Sequence, residues 1–469
     1  MAGPSKRDPV GAMTSDVQLL STGIEELDRL LGGGIPSRQI LLIAGQPGSG
    51  KTILAGQIGF AAAARGEPVV LATAASEPHS KLIESLQGFS FFRRDLLARE
   101  IVLLSMYPWL RKGVRETREM VLSSIRERHA RLLVIDGLRS LHDVWRDEIS
   151  VRDFLGEVGV GLASSDCTAV FTLESAPDQI LATAEAATVD GVLTLAFTGW
   201  GMHRLRRIEV VKVRGRRHLA GQHVSRLDGS GFRIIPRIDV LAPPERPSAR
   251  REGRALFGIS SLDAWLGGGL PGGTTTLIAG GPGTGKTLLG AAFARAGVAA
   301  GEPTLLVSLE EDAESLLSRA KSVGLDLPSG RALSVWSPTP GALEPDEVAR
   351  ELLERADSLN ARRVVVDGVD LLEQLLEPIG RRLEFDVALL RQLRAGGRDV
   401  LFTCDLLGAP TSPLSRGVDN FLELRAERAT GQLQRELWAV KVRSAATPRE
   451  PWRFNISASS GLLPEAVSR

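Results

Sequence analysis

The feature that most constrains this chain is that its pattern is written twice. STGIEELDRLLGGGIPSRQILLIAGQPGSGKT (21–52) recurs as GISSLDAWLGGGLPGGTTTLIAGGPGTGKT (258–287), ARLLVIDGLRSL (130–141) as ARRVVVDGVDLL (361–372), and EVVKVRG (209–215) as WAVKVRS (438–444). The three landmarks keep nearly one register, with offsets of 235 (286 − 51), 231 (367 − 136) and 229 (441 − 212). A period this long is several times that of any solenoid repeat, so a whole domain has been duplicated. Whatever fold one half adopts, the other adopts as well.

Within each copy, short Val/Ile/Leu/Ala runs alternate with helical patterns such as GVRETREMVLSSIRERHA (113–130) and EPDEVARELLERADSLNA (344–361). Strands that read as continuous apolar runs are buried on both faces, which predicts an α/β fold with a mostly parallel sheet covered by helices. RLRRIEVVKVRG (204–215) and ELWAVKVRS (436–444) alternate polar and apolar residues, which suits an antiparallel hairpin at the sheet edge. PRIDVLAPPERPSARREGRA (236–255) is rich in Pro and Arg and has no apolar periodicity, as an exposed connector requires. The boundary therefore falls near Pro247. The expected organisation is a flexible arm over 1–14, a first domain over 15–240, a linker over 241–253 and a second domain over 254–465.

The 57 basic and 56 acidic residues leave no global field to steer the chain to nucleic acid or an anionic membrane. Cys167 and Cys404 lie in apolar strand-like runs outside any CxxC or Cys/His cluster, which fits core packing in a reducing cytoplasm. The start MAGPSKRDPVGAMTSD has no apolar signal-peptide core and no apolar run is long enough to span a bilayer, so a cytoplasmic location is expected.

Two stretches match GxxxxGK[ST] between an apolar strand and a helix. The first is Gly45, Gln46, Pro47, Gly48, Ser49, Gly50, Lys51 and Thr52; the second is Gly280, Gly281, Pro282, Gly283, Thr284, Gly285, Lys286 and Thr287. Glycines let such a loop curl its backbone N–H groups around a polyphosphate, and the helix that follows adds its positive end. Lys51 or Lys286 is then expected on the β and γ phosphates of ATP, and Thr52 or Thr287 on Mg²⁺. Asp136 and Asp367 end apolar strands in both copies, where the second Mg²⁺-organising carboxylate belongs; the alternative role for either is to cap the next helix. Hydrolysis also needs a carboxylate that orients water. Glu310 and Glu311 follow TLLVSL (304–309), a strand taken as the neighbour of the P-loop strand, which would carry them to the edge where the γ phosphate sits. Otherwise they are exposed acids favoured by a helix dipole.

Together these residues resemble the RecA-like ATPases, and within them the KaiC-like family with two tandem domains, over nearly the whole chain from about 15 to 462. The discriminating pieces are TGIxxLDxxLGGG close before the P-loop, the Glu-Glu pair after the next strand, and K-x-R near the end of each copy. The resemblance implies two tandem RecA-like P-loop domains and a homohexameric ring with ATP between subunits. It also implies that Lys212 and Arg214 in the first copy, and Lys441 and Arg443 in the second, reach a neighbour's nucleotide. His218 is a lesser candidate for such a contact, and Ser444 and Thr447 depart from the pattern of the first copy. The alternative for these cations is protection of an edge strand. The circadian-clock member of the family phosphorylates a Ser-Thr pair on its second domain; here Ser415 and Arg416 fall on that pair, so a serine autokinase is a secondary expectation and a two-site cycle is not. Recombinases and helicase-type motors share the leading motif and P-loop, but DNA is not the expected partner because no zinc ribbon or added module accompanies them. A non-hydrolysing, ATP-bound scaffold ring is the other alternative, and a regulatory protein partner is expected without being identifiable.

The two copies differ at the acids. Aligned on the P-loop lysines, Glu310 and Glu311 stand opposite Ala75 and Ser76; aligned on the next helix (Leu82 with Leu316), they stand opposite Ser76 and Glu77. At most one carboxylate survives in either register, so the first copy is expected to bind ATP and hydrolyse it slowly.

Overall fold

The computed structural model describes residues 18–74, 79–176, 178–200, 203–241, 252–327, 330, 332–339, 344–405, 412–429, 432–443, 447–457 and 461–464. The expected N-terminal arm, most of the linker, Ala75, Ser76, Glu77 and Ser444 lie outside them. The chain divides into two compact units, Met1–Val240 and Leu241–Arg469.

Among the described residues each unit is built on one nine-stranded sheet. In the first, the P-loop strand Ile40–Gly45 lies between two parallel neighbours, Thr168–Glu174 and Gly191–Trp200. Beyond Thr168–Glu174 come Leu132–Asp136, Val69–Thr73 and Ile101–Ser105, all parallel. On the other side Gly191–Trp200 turns back into His203–Val213, Gln222–Asp228 and Gly231–Ile235, all antiparallel. The expected edge hairpin is thus part of a longer antiparallel meander. The second unit repeats this order around Thr275–Gly280, with Asp399–Asp405, Arg363–Asp367, Thr304–Ser308 and Leu333–Trp336 on one side. Asn420–Ala429, Gln432–Val442, Trp452–Ser457 and Gly461–Pro464 form its other side.

The apolar runs end up where parallel strands require them. Every residue of Ile40–Gly45 and Thr275–Gly280 is buried, and each Leu or Ile side chain so removed from water contributes about 1.5–3 kcal/mol. Helices cover both faces and are set by local signals. Pro345–Ser358 starts with Pro at its first position, its cap Glu344 accepts from the Glu347 amide at 3.0 Å, and Val348, Leu352 and Ala356 form the buried stripe.

One expectation is corrected. The strand Thr304–Ser308, which leads to Glu310, is not adjacent to the P-loop strand: Arg363–Asp367 and Asp399–Asp405 lie between them. Parallel crossovers let consecutive strands insert apart in the sheet, so sequence order did not give spatial order. Glu310 nevertheless reaches the carboxyl edge, because all these strands run the same way.

Candidate functional site

Each phosphate loop leaves its buried strand and ends on the first residue of a 14-residue helix, Lys51–Ala64 or Lys286–Ala299. Gly50 and Gly285 sit at the helix start with φ of 97° and 107°, a left-handed conformation that side chains resist. No side chain caps either helix, so the first backbone N–H groups face the loop as anion donors. Gln46 and Gly281 curl the loop back, with the Ser49 amide donating to the Gln46 carbonyl at 3.2 Å and the Thr284 hydroxyl to the Gly281 carbonyl at 2.8 Å. In the first unit a cavity of about 380 Å³ opens at this point, walled by Gly48, Gly50, Lys51, Thr52 and Asp136 among others.

Lys51 Nζ donates to the carbonyls of Gly45 and Gln46, both at 2.9 Å, and burial lowers its pKa against the opposing pull of Glu174 and Asp136. Lys286 Nζ donates to Gly280 and Gly281 at 3.0 and 3.1 Å and is ion-paired with Asp405. The Thr52 hydroxyl lies 3.0 and 3.1 Å from the two carboxylate oxygens of Asp136. In the second unit the Thr403 hydroxyl donates to Asp367 Oδ1 at 2.5 Å, while Asp367 Oδ2 is buried with no protein donor among the described residues. Burial raises the pKa of both aspartates, and hydroxyl donors oppose the rise. The unpaired buried oxygen of Asp367 is a fit for a hard divalent cation, so Asp367 with Thr287 would hold Mg²⁺ against the phosphates. In the first unit Asp136 and Thr52 stand at the matching place, and the hydroxyl now bonded to the carboxylate would turn to the cation.

Glu310 and Glu311 differ in their partners. Glu310 lies within the fields of Asp367, Asp405 and Lys286, and its Cγ lies 2.6 Å from where a Cβ on Gly368 would stand, so this approach needs glycine there. Partial loss of water raises the Glu310 pKa first, and repulsion from Asp367 and Asp405 adds to the rise. Glu311 instead pairs with Arg319 on the next helix.

Lys212, Arg214, Lys441 and Arg443 stand at the other end of the sheet from their own phosphate loops. Lys212 pairs across the sheet with Val192, which pairs with Leu42, and Lys441 pairs with Phe421, which pairs with Leu277. Both lysines are therefore level with positions three residues before Gly45 and Gly280, roughly 10 Å short of the strand end at about 3.3 Å per residue. Lys212 donates to the Ala186 and Val189 carbonyls at 2.8 and 2.7 Å, and Lys441 to the Val418 carbonyl at 2.5 Å. Arg214 and Arg443 pair with Asp190 and Asp419 at 3.3 and 2.9 Å. None of the four joins the phosphate site of its own unit in these contacts. His218 is half-buried, with Nδ1 lacking a partner among the described residues.

Sequence reasoning missed several site residues. Thr172 and Thr403 orient Asp136 and Asp367, the first by a 2.6 Å bond to Asp136. Glu174 and Asp405 close the strand beside the P-loop, paired in register with Gly45 and Gly280. The signal was present in the repeat, because VFTLE (170–174) and LFTCD (401–405) keep the 231-residue offset of the two aspartates.

Ser415 lies on the short helix Pro413–Gly417, whose cap Ser412 donates to Glu373 Oε1 at 2.5 Å. Glu373 and the neighbouring Asp386 are buried, at 1% and 0% exposure. Burial, then the Glu373 charge, pushes Asp386 up to about 9 from an ordinary 3.8. Between those values the folded chain keeps a proton that the unfolded chain has lost, so this group makes stability fall as pH rises across that window. Asp386→Asn is expected to flatten that slope, with its melting temperature gaining on the wild type between about pH 5 and about pH 8. Parallel melting curves at the two pH values would contradict it.

Two mostly parallel sheets, each with a glycine-rich phosphate loop at its carboxyl edge and an aspartate and threonine alongside, define a tandem P-loop nucleotide-binding protein of the RecA-like class. More narrowly, the chain belongs to the KaiC ATPase family, whose model, described as "ATPase: KaiC", matches residues 20–239 and again 256–463. It is 27% identical over 468 residues to the circadian clock protein KaiC3 of Synechocystis sp., covering 94% of this chain and 91% of that protein. It is also 27% identical over 481 residues to KaiC2 of the same organism, covering 97% and 84%. The circadian clock oscillator protein KaiC of Picosynechococcus sp. is 29% identical over 212 residues, 44% of this chain and 40% of that protein. No helix among the described residues is long and apolar enough to cross a membrane.

Proposed function

We propose that the chain assembles into a cytoplasmic homohexameric ring that binds Mg-ATP between subunits in both tiers and hydrolyses it mainly in the second unit. The observation that carries this reading is Glu310, set at the phosphate edge among Asp367, Asp405 and Lys286. Thr73 pairs with Asp136 as Ser308 does with Asp367 (308 − 73 = 235), and that register sets Ala75 opposite Glu310. A first unit that keeps ATP bound would stabilise the assembled state by mass action. The trans reading is supported by the K-x-R cations standing away from the phosphate loops of their own units.

ATP turnover and oligomer mass of the wild type, Lys51→Ala and Lys286→Ala test the division of labour. Lys286→Ala is expected to remove most turnover and leave the ring intact, whereas Lys51→Ala is expected to weaken the ring and spare turnover per assembled subunit. Equal loss from both variants would overturn the asymmetry. A turnover rise of about tenfold or more with single-stranded DNA would favour a recombination or helicase-type motor, and no turnover in any form a passive ATP-bound scaffold. Serine autophosphorylation at Ser415 is a subsidiary part of the reading. A phosphate-affinity gel after incubation with ATP, with Ser415→Ala alongside, decides it.

A further inference from the structure

Helix His79–Leu86 of the first unit presents two faces of different chemistry. Leu82 and Leu86, four residues apart, are buried in the core. Leu86 presses so closely on Gly56 of the helix after the P-loop that a Cβ there would stand 2.9 Å from its methyls, which fixes the two helices against each other. Lys81 and Ser85, also four apart, line the same cavity as Lys51, Thr52 and Asp136. A lysine and a serine from a second element therefore line the cavity at the phosphate loop.

The second unit uses the matching helix, Ala313–Ser322, in another way. With Leu82 matched to Leu316 (316 − 82 = 234), Lys81 and Ser85 fall on Ser315 and Arg319, and Arg319 is ion-paired with Glu311. There Arg319 stands where the first unit has Ser85, and in the first unit Lys81, one turn earlier on the helix, lines the cavity.

We propose that Lys81 is a second phosphate-binding cation of the first unit, contacting the terminal phosphate of a bound nucleoside di- or triphosphate and slowing its release. The inference rests on the reading of the first unit as the retaining site, and it supplies the residue that does the retaining. An ammonium group strengthens binding through charge-assisted hydrogen bonds but cannot take a proton from water. Lys81 therefore adds to residence without supplying the carboxylate that water activation needs.

The test uses the full chain carrying Lys286→Ala, so that the first unit is the site that loads, and follows release of mant-labelled ATP and ADP on chase with unlabelled nucleotide. Lys81→Met is expected to speed mant-ATP release by about tenfold, and Lys81→Arg to keep it within about threefold of Lys81. The nucleotide-free melting temperature should be the same for all three, which separates loss of a phosphate contact from loss of packing. Release from Lys81→Met within about twofold of the parent would overturn the role of Lys81 alone. Failure of the Lys286→Ala chain to take up any mant nucleotide would overturn that role together with the reading of the first unit as a nucleotide site.

Discussion

Glu310→Gln is expected to lower ATP turnover of the full chain by about 10²- to 10⁴-fold, while Glu311→Gln lowers it by less than about tenfold. The two residues are neighbours in sequence and similar in charge, so only their surroundings separate them. Glu310 lies within the fields of Asp367, Asp405 and Lys286, and in the proposed role it orients the attacking water; glutamine fills the same space without accepting a proton. Glu311 is occupied by Arg319. The electrostatics add a pH signature. Desolvation and two neighbouring aspartates raise the Glu310 pKa, so the base form is reached later in a titration than for an exposed glutamate. The acidic limb of kcat/KM should therefore lie above the ordinary glutamate range, and turnover should rise with pH through it. Equal losses from the two single variants would remove Glu310 from its assigned role.

Arg443→Ala is expected to cost about 10³- to 10⁵-fold in turnover, the range for an arginine supplied to a phosphoryl-transfer transition state from another subunit. The fold should survive the change, because Asp419 keeps the Thr275 amide at 3.0 Å and Arg394 at 3.2 Å when Arg443 is removed. Mixing the variant with Lys286→Ala chains gives the decisive measurement. Each inactive chain carries what the other lacks, an intact phosphate loop in one and an intact arginine in the other, so mixed assemblies should recover activity. If mixing restores nothing, the arginine does not act in trans.

Local motifs were legible in the sequence because their chemistry is local. A phosphate loop needs its glycines, lysine and threonine within eight residues, and the strand and helix on either side follow from apolar periodicity. Asp136 and Asp367 were legible because duplication fixed their place. What escaped came from strands brought together only by folding. Thr172 reaches Asp136 across 36 residues and Thr403 reaches Asp367 across the same span, and neither threonine belongs to a motif. The misplaced neighbour of the P-loop strand has the same origin, since sheet order in a crossover fold is not chain order. Lys81 was overlooked for a related reason: its place in the cavity wall comes from the helix that Leu86 docks on Gly56.

The placement of Lys212 and Lys441 at the amino side of the sheet has a consequence for inheritance. Where the cations that complete a site belong to the adjoining copy, a chain altered at Arg443 harms its neighbour's reaction and leaves its own phosphate loop intact. In a mixed assembly each altered chain then removes one site, its neighbour's for Arg443 and its own for Lys286, so the two alleles should cost equal turnover and differ only in which subunit keeps a working phosphate loop.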